Sequence, residues 1–160
     1  MPRLNDFHAV VFDMDGTLTP NMHLHGQAFD IFMQKYDIPI PDETVAASLS
    51  GKRNSEIFPI LFGRDLHAEE LERYADEKEN LYRTLMEQVH AVPGLHDFLV
   101  HLDSNNMPSA IATSAPHGNV APTLNRLNLP SYFATITLGS EVKHGKPAPD
   151  IFIEAARRLG

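Results

Sequence analysis

The sequence contains no cysteine, which excludes disulfides, thiolate metal sites and cysteine nucleophiles and suits a reducing cytoplasm. It has no uncharged apolar run of about 18 residues, so no transmembrane helix is expected. The opening Met1-Pro2-Arg3-Leu4-Asn5-Asp6 lacks the apolar stretch of a secretory signal. Internal repeats and low-complexity tracts are absent too. Cations are scarce: 13 Lys+Arg face 21 Asp+Glu, giving a net charge of −8 that is spread along the chain. General binding to nucleic acid or to an anionic membrane is therefore not expected. An anionic substrate must instead be met by a few local cations or with the help of a metal. What remains is ordinary globular material. Apolar residues make up 42% of 160 residues, enough to bury a sizeable core in about one domain.

The first strong signal is His8-Ala9-Val10-Val11-Phe12, an apolar run of strand length that reads as a buried parallel strand. A second run, Ser109-Ala110-Ile111-Ala112-Thr113, follows a helical pattern from Leu95 to Leu102 that starts just after Pro93-Gly94. A third, Thr135-Ile136-Thr137-Leu138, follows a helical stretch over Asn119–Leu129, in which Pro122 fits best within the first turn. Pro149 to Leu159 reads as a last helix. Strands alternating with helices predict an α/β fold with a parallel sheet.

One interval is too long for a simple crossover, which needs only a dozen or more residues. Leu18 to Val92 comprises 75 residues and contains helical patterns at about His23–Tyr36, Asp42–Leu49, Ser55–Phe62 and His67–Val89. The last carries Leu71, Tyr74, Lys78, Leu81, Leu85 and Val89, mostly at spacings of three and four. Residues 18–92 are therefore expected to form a small helical cap, with 1–17 and 93–160 as the core. A cap over the C-terminal edge of the strands would sit where open α/β sheets bind ligands.

Asp13-Met14-Asp15-Gly16-Thr17 places two carboxylates two residues apart just beyond the first strand, on the same side if the chain stays extended. Asp and Gly favour turns on their own account. Yet Asp-x-Asp-Gly-Thr should arise by chance in a chain of this length on the order of once in a thousand. Its position at a strand end points to chemistry.

These residues resemble the first motif of the haloacid dehalogenase-like hydrolases. The resemblance implies a three-layer Rossmann-like core with an inserted helical cap, and it extends over nearly the whole chain. It makes Asp13 a nucleophile that takes up phosphoryl as an aspartyl phosphate. Asp15 would protonate the leaving oxygen and then activate water. The Asp13 carboxylate and the Asp15 backbone carbonyl would hold Mg²⁺, a hard cation that prefers oxygen ligands. Gly16 would turn the chain sharply away from the strand, with Thr17 beside it in the substrate site. Asp15 argues against the dehalogenases of the same superfamily, which lack that acid. Thr113 stands where the family carries its second motif. Its hydroxyl and the backbone of Ser114 and Ala115 would bind the transferring phosphoryl oxygens. Lys146, in Gly145-Lys146-Pro147-Ala148-Pro149-Asp150, matches the third motif and would offset the charge of Asp13 and the phosphate.

In the cap, Ser50-Gly51-Lys52-Arg53-Asn54-Ser55-Glu56 resembles the substrate loop of sugar-phosphate phosphatases and β-phosphoglucomutases. Gly51, Lys52 and Arg53 would bind substrate, Arg53 being the better planar clamp. An exposed basic helix start accounts for the same residues equally well. His25 falls where the phosphoglucomutase-like members carry a hinge histidine. A metal pair formed by His23 and His25 is set aside, because no acid or further histidine has matching spacing. His67, His90, His96, His101, His117 and His144 read as residues of the surface or the cap edge.

The family's fourth, acidic motif has no counterpart after Lys146. A fragment of a longer hydrolase fits this best, ahead of a short protein whose edge a partner covers or a degraded sample. The 160-residue chain itself is expected to bind Mg²⁺ weakly and to turn over poorly. The absent strand would leave an unpaired sheet edge, a liability toward aggregation and a route to self-association.

The favoured function is a Mg²⁺-dependent phosphatase of small phosphorylated metabolites, sugar phosphates foremost, in the cytoplasm. The alternatives are a β-phosphoglucomutase-like phosphoryl transfer and a non-catalytic phosphate-binding or interaction protein. A two-component receiver domain has no use for a 75-residue insertion and is set aside.

Overall fold

A computed structural model describes residues 7–160, so that Met1–Asp6, the segment without a leader pattern, lies outside the described residues. The chain divides into two compact units, one comprising residues up to Pro20 with Val89–Gly160, the other Asn21–Gln88.

The first unit is built on three parallel strands in the order β1 (Val10–Phe12), β2 (Ser109–Thr113) and β3 (Thr135–Leu138). Phe12 pairs with Ile111 and Thr113 with Leu138, which brings the C-terminal ends of the strands side by side. Every residue of β2 is buried, as expected for the central strand of a parallel sheet. Its Ala110 and Ala112 are small enough for helix α7 (Asp150–Leu159) to close on them, and they form a core with Ile151 and Ala155. Val11 packs against that cluster, whereas Phe12, on the other side of the strand, meets Phe98 of α5 (Leu95–Ser104) at 6.0 Å between ring centroids. Helices therefore cover both faces of the sheet. Together with the helical insertion this is the α/β Rossmann-like fold expected.

Two expectations for this unit are corrected. The first strand is not buried: β1 spans three residues, all half-buried, because it is the edge strand among the described residues. Pro122 lies not in a first turn but in the second turn of α6 (His117–Arg126), since that helix begins two residues earlier than the apolar spacing indicates. Pro122 faces solvent there, where water can satisfy the carbonyl that its missing N–H leaves without a partner.

The second unit contains α1 (Met22–Lys35), α2 (Glu43–Leu49), α3 (Asn54–Phe62) and α4 (Ala68–Thr84). Phe32, Phe58 and Tyr74, contributed by α1, α3 and α4, are its buried centre. The rings of Phe32 and Phe58 lie 5.0 Å apart and those of Phe32 and Tyr74 5.7 Å, contacts worth about 1 kcal/mol each beyond the area they bury. Asp42 caps α2 by accepting a hydrogen bond from the Val45 N–H at 2.9 Å. Helix α4 stops short of the expected Val89. The Thr84 hydroxyl donates back to the Leu81 carbonyl at 2.6 Å, and a 3₁₀ turn over Met86–Gln88 follows.

Candidate active site

Beyond Phe12 the backbone leaves the sheet and folds into a tight turn. Gly16 N–H donates to the Thr19 carbonyl at 2.8 Å and Leu18 N–H to the Met14 carbonyl at 2.8 Å. Gly16 takes φ 77°, a left-handed conformation costly for any residue with a Cβ. Met14 is wholly buried between the half-buried Asp13 and Asp15, which anchors the turn while both carboxylates stay accessible. Gly16 and Thr17 are exposed at the tip.

Asp13 has both carboxylate oxygens engaged. Oδ1 accepts from the Met14 N–H at 2.8 Å, and Oδ2 is 2.7 Å from Lys146 Nζ. The Lys146 side chain is nearly buried, at 12% exposure, against 32% for Asp13. Its ammonium donates also to the Ala112 carbonyl at 3.3 Å and lies 5.1 Å from the centre of the Phe152 ring. A desolvated ammonium with a carboxylate, a carbonyl and a ring face around it is a well-placed cation. Of its three hydrogens two are committed, which leaves one for an incoming oxygen.

Thr113 closes β2 directly after Ala112 and is buried. Its Oγ1 accepts from the Ala115 N–H at 3.0 Å, so the hydroxyl hydrogen is left to donate. Ser114 is half-buried between them. The structure thus gathers Asp13, Lys146 and the end of β2 in one place, with Asp15 two residues along the turn from Asp13. Among the described residues no group of three or more His, Cys, Asp or Glu side chains could hold a metal ion. The oxygen donors at this turn are the carboxylates of Asp13 and Asp15 and the backbone carbonyls. They are of the class that Mg²⁺ prefers, and two carboxylates with water and substrate suffice for its usual sites.

The remaining candidates belong to the helical unit. Gly51 is exposed with φ 76° and Lys52 is half-buried. Arg53 donates from Nε and from its backbone N–H to Glu56 Oε2, at 2.9 and 3.0 Å. That hydrogen bond holds the Glu56 carboxyl below its usual range. His25 stacks on Tyr82 at 3.9 Å between ring centroids, and its Nδ1 is 3.0 Å from Lys78 Nζ. Lys78 is itself buried and paired with the buried Glu79 at 2.9 Å, while Asn54 donates to the same Glu79 oxygen at 2.7 Å. The ammonium can only donate, so Nδ1 of His25 is the acceptor in that contact.

Sequence reasoning did not find the Ala112 carbonyl or Phe152 around Lys146, nor the Lys78–Glu79 pair beside His25. A backbone carbonyl has no signature in a sequence. Lys78 did stand at an apolar position of the α4 pattern, which was a usable sign of burial.

The model of the haloacid dehalogenase-like hydrolase family matches residues 10–160. The chain is 30% identical over 155 residues to a phosphorylated carbohydrates phosphatase of Thermotoga maritima, covering 94% of this chain and 70% of the relative. It superposes on a β-phosphoglucomutase from Clostridium difficile with a TM-score of 0.84 and 29% identity, over 96% of this chain and 71% of that one. A family IA, variant 3 hydrolase from Entamoeba histolytica gives a TM-score of 0.81 and 31% identity over the same shares, 96% and 71%. Among the described residues no helix is long and apolar enough to cross a membrane.

Proposed function

The chain belongs to the haloacid dehalogenase-like hydrolases and is a phosphoric monoester hydrolase, and from that premise we propose that it removes phosphate from small phosphorylated metabolites, sugar phosphates foremost, through an aspartyl phosphate on Asp13. The observation that carries this reading is the contact between Lys146 and Asp13 at 2.7 Å, beside the end of β2. A nearly buried lysine at this distance orients the Asp13 carboxylate for attack, and the lysine's remaining hydrogen can meet a phosphoryl oxygen.

In the first step an Asp13 oxygen attacks phosphorus. The P–O bond to the carboxylate forms as the ester P–O bond breaks, and the leaving oxygen takes its proton from the Asp15 carboxyl. In the second step water attacks the acyl phosphate and gives its proton to the Asp15 carboxylate. Phosphate departs and Asp13 is restored. Lys146 offsets the negative charge throughout, while the Thr113 hydroxyl, fixed by the Ala115 N–H that donates to its oxygen, and Ser114 hold the phosphoryl oxygens. Asp13 and Asp15 are the residues that would hold Mg²⁺, which when bound neutralises charge on the transferring group. Lys52 and Arg53, with His25 and Gly51, are proposed to recognise the non-reacting part of the substrate. The absence of cysteine is in keeping with a place in the cytoplasm.

Phosphate release from a panel of sugar phosphates, with and without Mg²⁺, tests the proposal. Release that depends on metal and vanishes in Asp13→Asn is expected; turnover retained in that variant would sink the mechanism. The similarity to a β-phosphoglucomutase supports a second reading, return of the phosphoryl group to a sugar. A requirement for a sugar bisphosphate in turnover would favour it.

A further inference from the structure

Lys146 rises from a loop with little backbone hydrogen bonding of its own. Between Gly145 and Pro149 the two prolines lack an N–H, and the Ala148 N–H donates to Gly145 at 3.0 Å, inside the loop. The two ends are instead joined by one carboxylate. Asp150, the first residue of α7, accepts at Oδ1 from the backbone N–H of His144 at 3.3 Å, and the same oxygen is 2.8 Å from His144 Nδ1. A carboxylate only accepts, so Nδ1 carries a hydrogen and donates it. The His144 hydrogen bond holds the Asp150 carboxyl below its usual range, in keeping with a carboxylate at this spot.

We propose that His144 and Asp150 are positioning residues, a clasp that fixes the backbone from which Lys146 reaches Asp13. The catalytic consequence rests on the function proposed above; the geometric one does not. A lysine on a loose loop has four flexible carbons with which to leave Asp13, whereas a closed loop leaves the ammonium one narrow volume to occupy. Both partners of the clasp are partly exposed, with side-chain exposures of 59% and 31%. Pairs of that kind add little to global stability, so a purely structural role would have little to do here. The competing explanation is that Asp150 serves only as a negative charge at the start of α7. The two differ in one substitution. Asp150→Asn keeps an Oδ1 acceptor for both donors of His144 and removes the charge.

The test follows the Lys146 ammonium in lysine-selective ¹H–¹⁵N spectra, together with steady-state hydrolysis of p-nitrophenyl phosphate. In Asp150→Ala the Lys146 signal should shift or broaden away. Its kcat should fall by about 10- to 100-fold with KM within about threefold, as expected when a charged group is misplaced rather than removed. Asp150→Asn should restore most of both. An unmoved Lys146 signal in Asp150→Ala overturns the clasp, and so does an Asp150→Asn as defective as the alanine variant. Should Asp150→Ala fail to fold, His144→Ala, which removes the ring bond alone, takes its place, and an unmoved signal there has the same force. A wild-type chain that hydrolyses nothing while its Lys146 signal responds to these substitutions would remove the phosphatase function and leave the clasp standing.

Discussion

Lys146 spends two of its three hydrogens on Asp13 and Ala112, and that economy makes the pair sensitive to either partner. Replacing Asp13 by Asn keeps the shape but removes the nucleophile. Phosphate release should fall by about a thousandfold or more while the fold survives, which a colorimetric phosphate assay and circular dichroism check together. Elsewhere a single residue decides stability instead. Glu79 is buried and bonded to Lys78 and Asn54, so Glu79→Gln leaves a buried ammonium without its counter-charge. That should cost about 3 kcal/mol in urea unfolding, whereas Glu69→Gln, at an exposed position near the start of the same helix, should stay within about 0.5 kcal/mol. The principal residues of the candidate site were legible in the sequence because three of them, Asp13, Asp15 and Gly16, fall within one stretch of four residues and carry the proposed roles in their own side chains or backbone. What escaped was whatever works through backbone or through burial: the Ala112 carbonyl, the face of Phe152, and the partnership of Lys78 with Glu79, of which only the apolar position of Lys78 in the α4 pattern gave a sign.

Helix α7 is tied down at its C-terminal end by charge. Arg158 donates from Nε to Glu154 at 2.8 Å and from Nη1 to the Ile136 carbonyl of β3 at 3.1 Å, and Arg157 adds a forked contact to Glu154 at 2.7 and 2.8 Å. Hydrogen bonds to Arg157 and then Arg158 pull the Glu154 carboxyl from 4.5 down to about 2. A depressed folded-state pKa means that this contribution is present above pH 4.5 and drains away as the pH falls toward about 2. The thermal midpoint should decline across that window, and less steeply in an Arg157→Ala, Arg158→Ala double variant; an identical slope in both would show that the network carries no linkage. At this scale the sequence succeeds where periodicity is long and fails where a neighbour decides. The apolar run before Asp13 looked buried because nothing in its composition marks it as an edge strand. The α4 pattern ran on past Thr84 because hydrophobic spacing does not register a hydroxyl that turns back on its own helix. Pro122 was drawn toward a first turn by a rule of thumb, whereas an exposed face tolerates it one turn later.

For the molecule as a whole, a net charge of −8 sets the terms on which any divalent cation acts. Every salt relieves the mutual repulsion of the acids, so a rise in stability with MgCl₂ means nothing until ionic strength is held fixed. Held fixed, a site made of Asp13 and Asp15 should still announce itself. A site of millimolar affinity exposed to about 5 mM Mg²⁺ adds about 1 kcal/mol to the folded state, or a thermal midpoint higher by about 2–4 °C for a chain of this size. Weak binding of this order is what one carboxylate and a backbone carbonyl give when no group of three or more acidic or histidine side chains that could hold a metal stands among the described residues. The shift should disappear in Asp13→Asn, which takes the charged donor from the site and leaves the Asp15 backbone carbonyl in place. A shift of equal size in that variant would place the cation elsewhere on an acidic surface, and the metal would then have no part in the chemistry proposed for this turn.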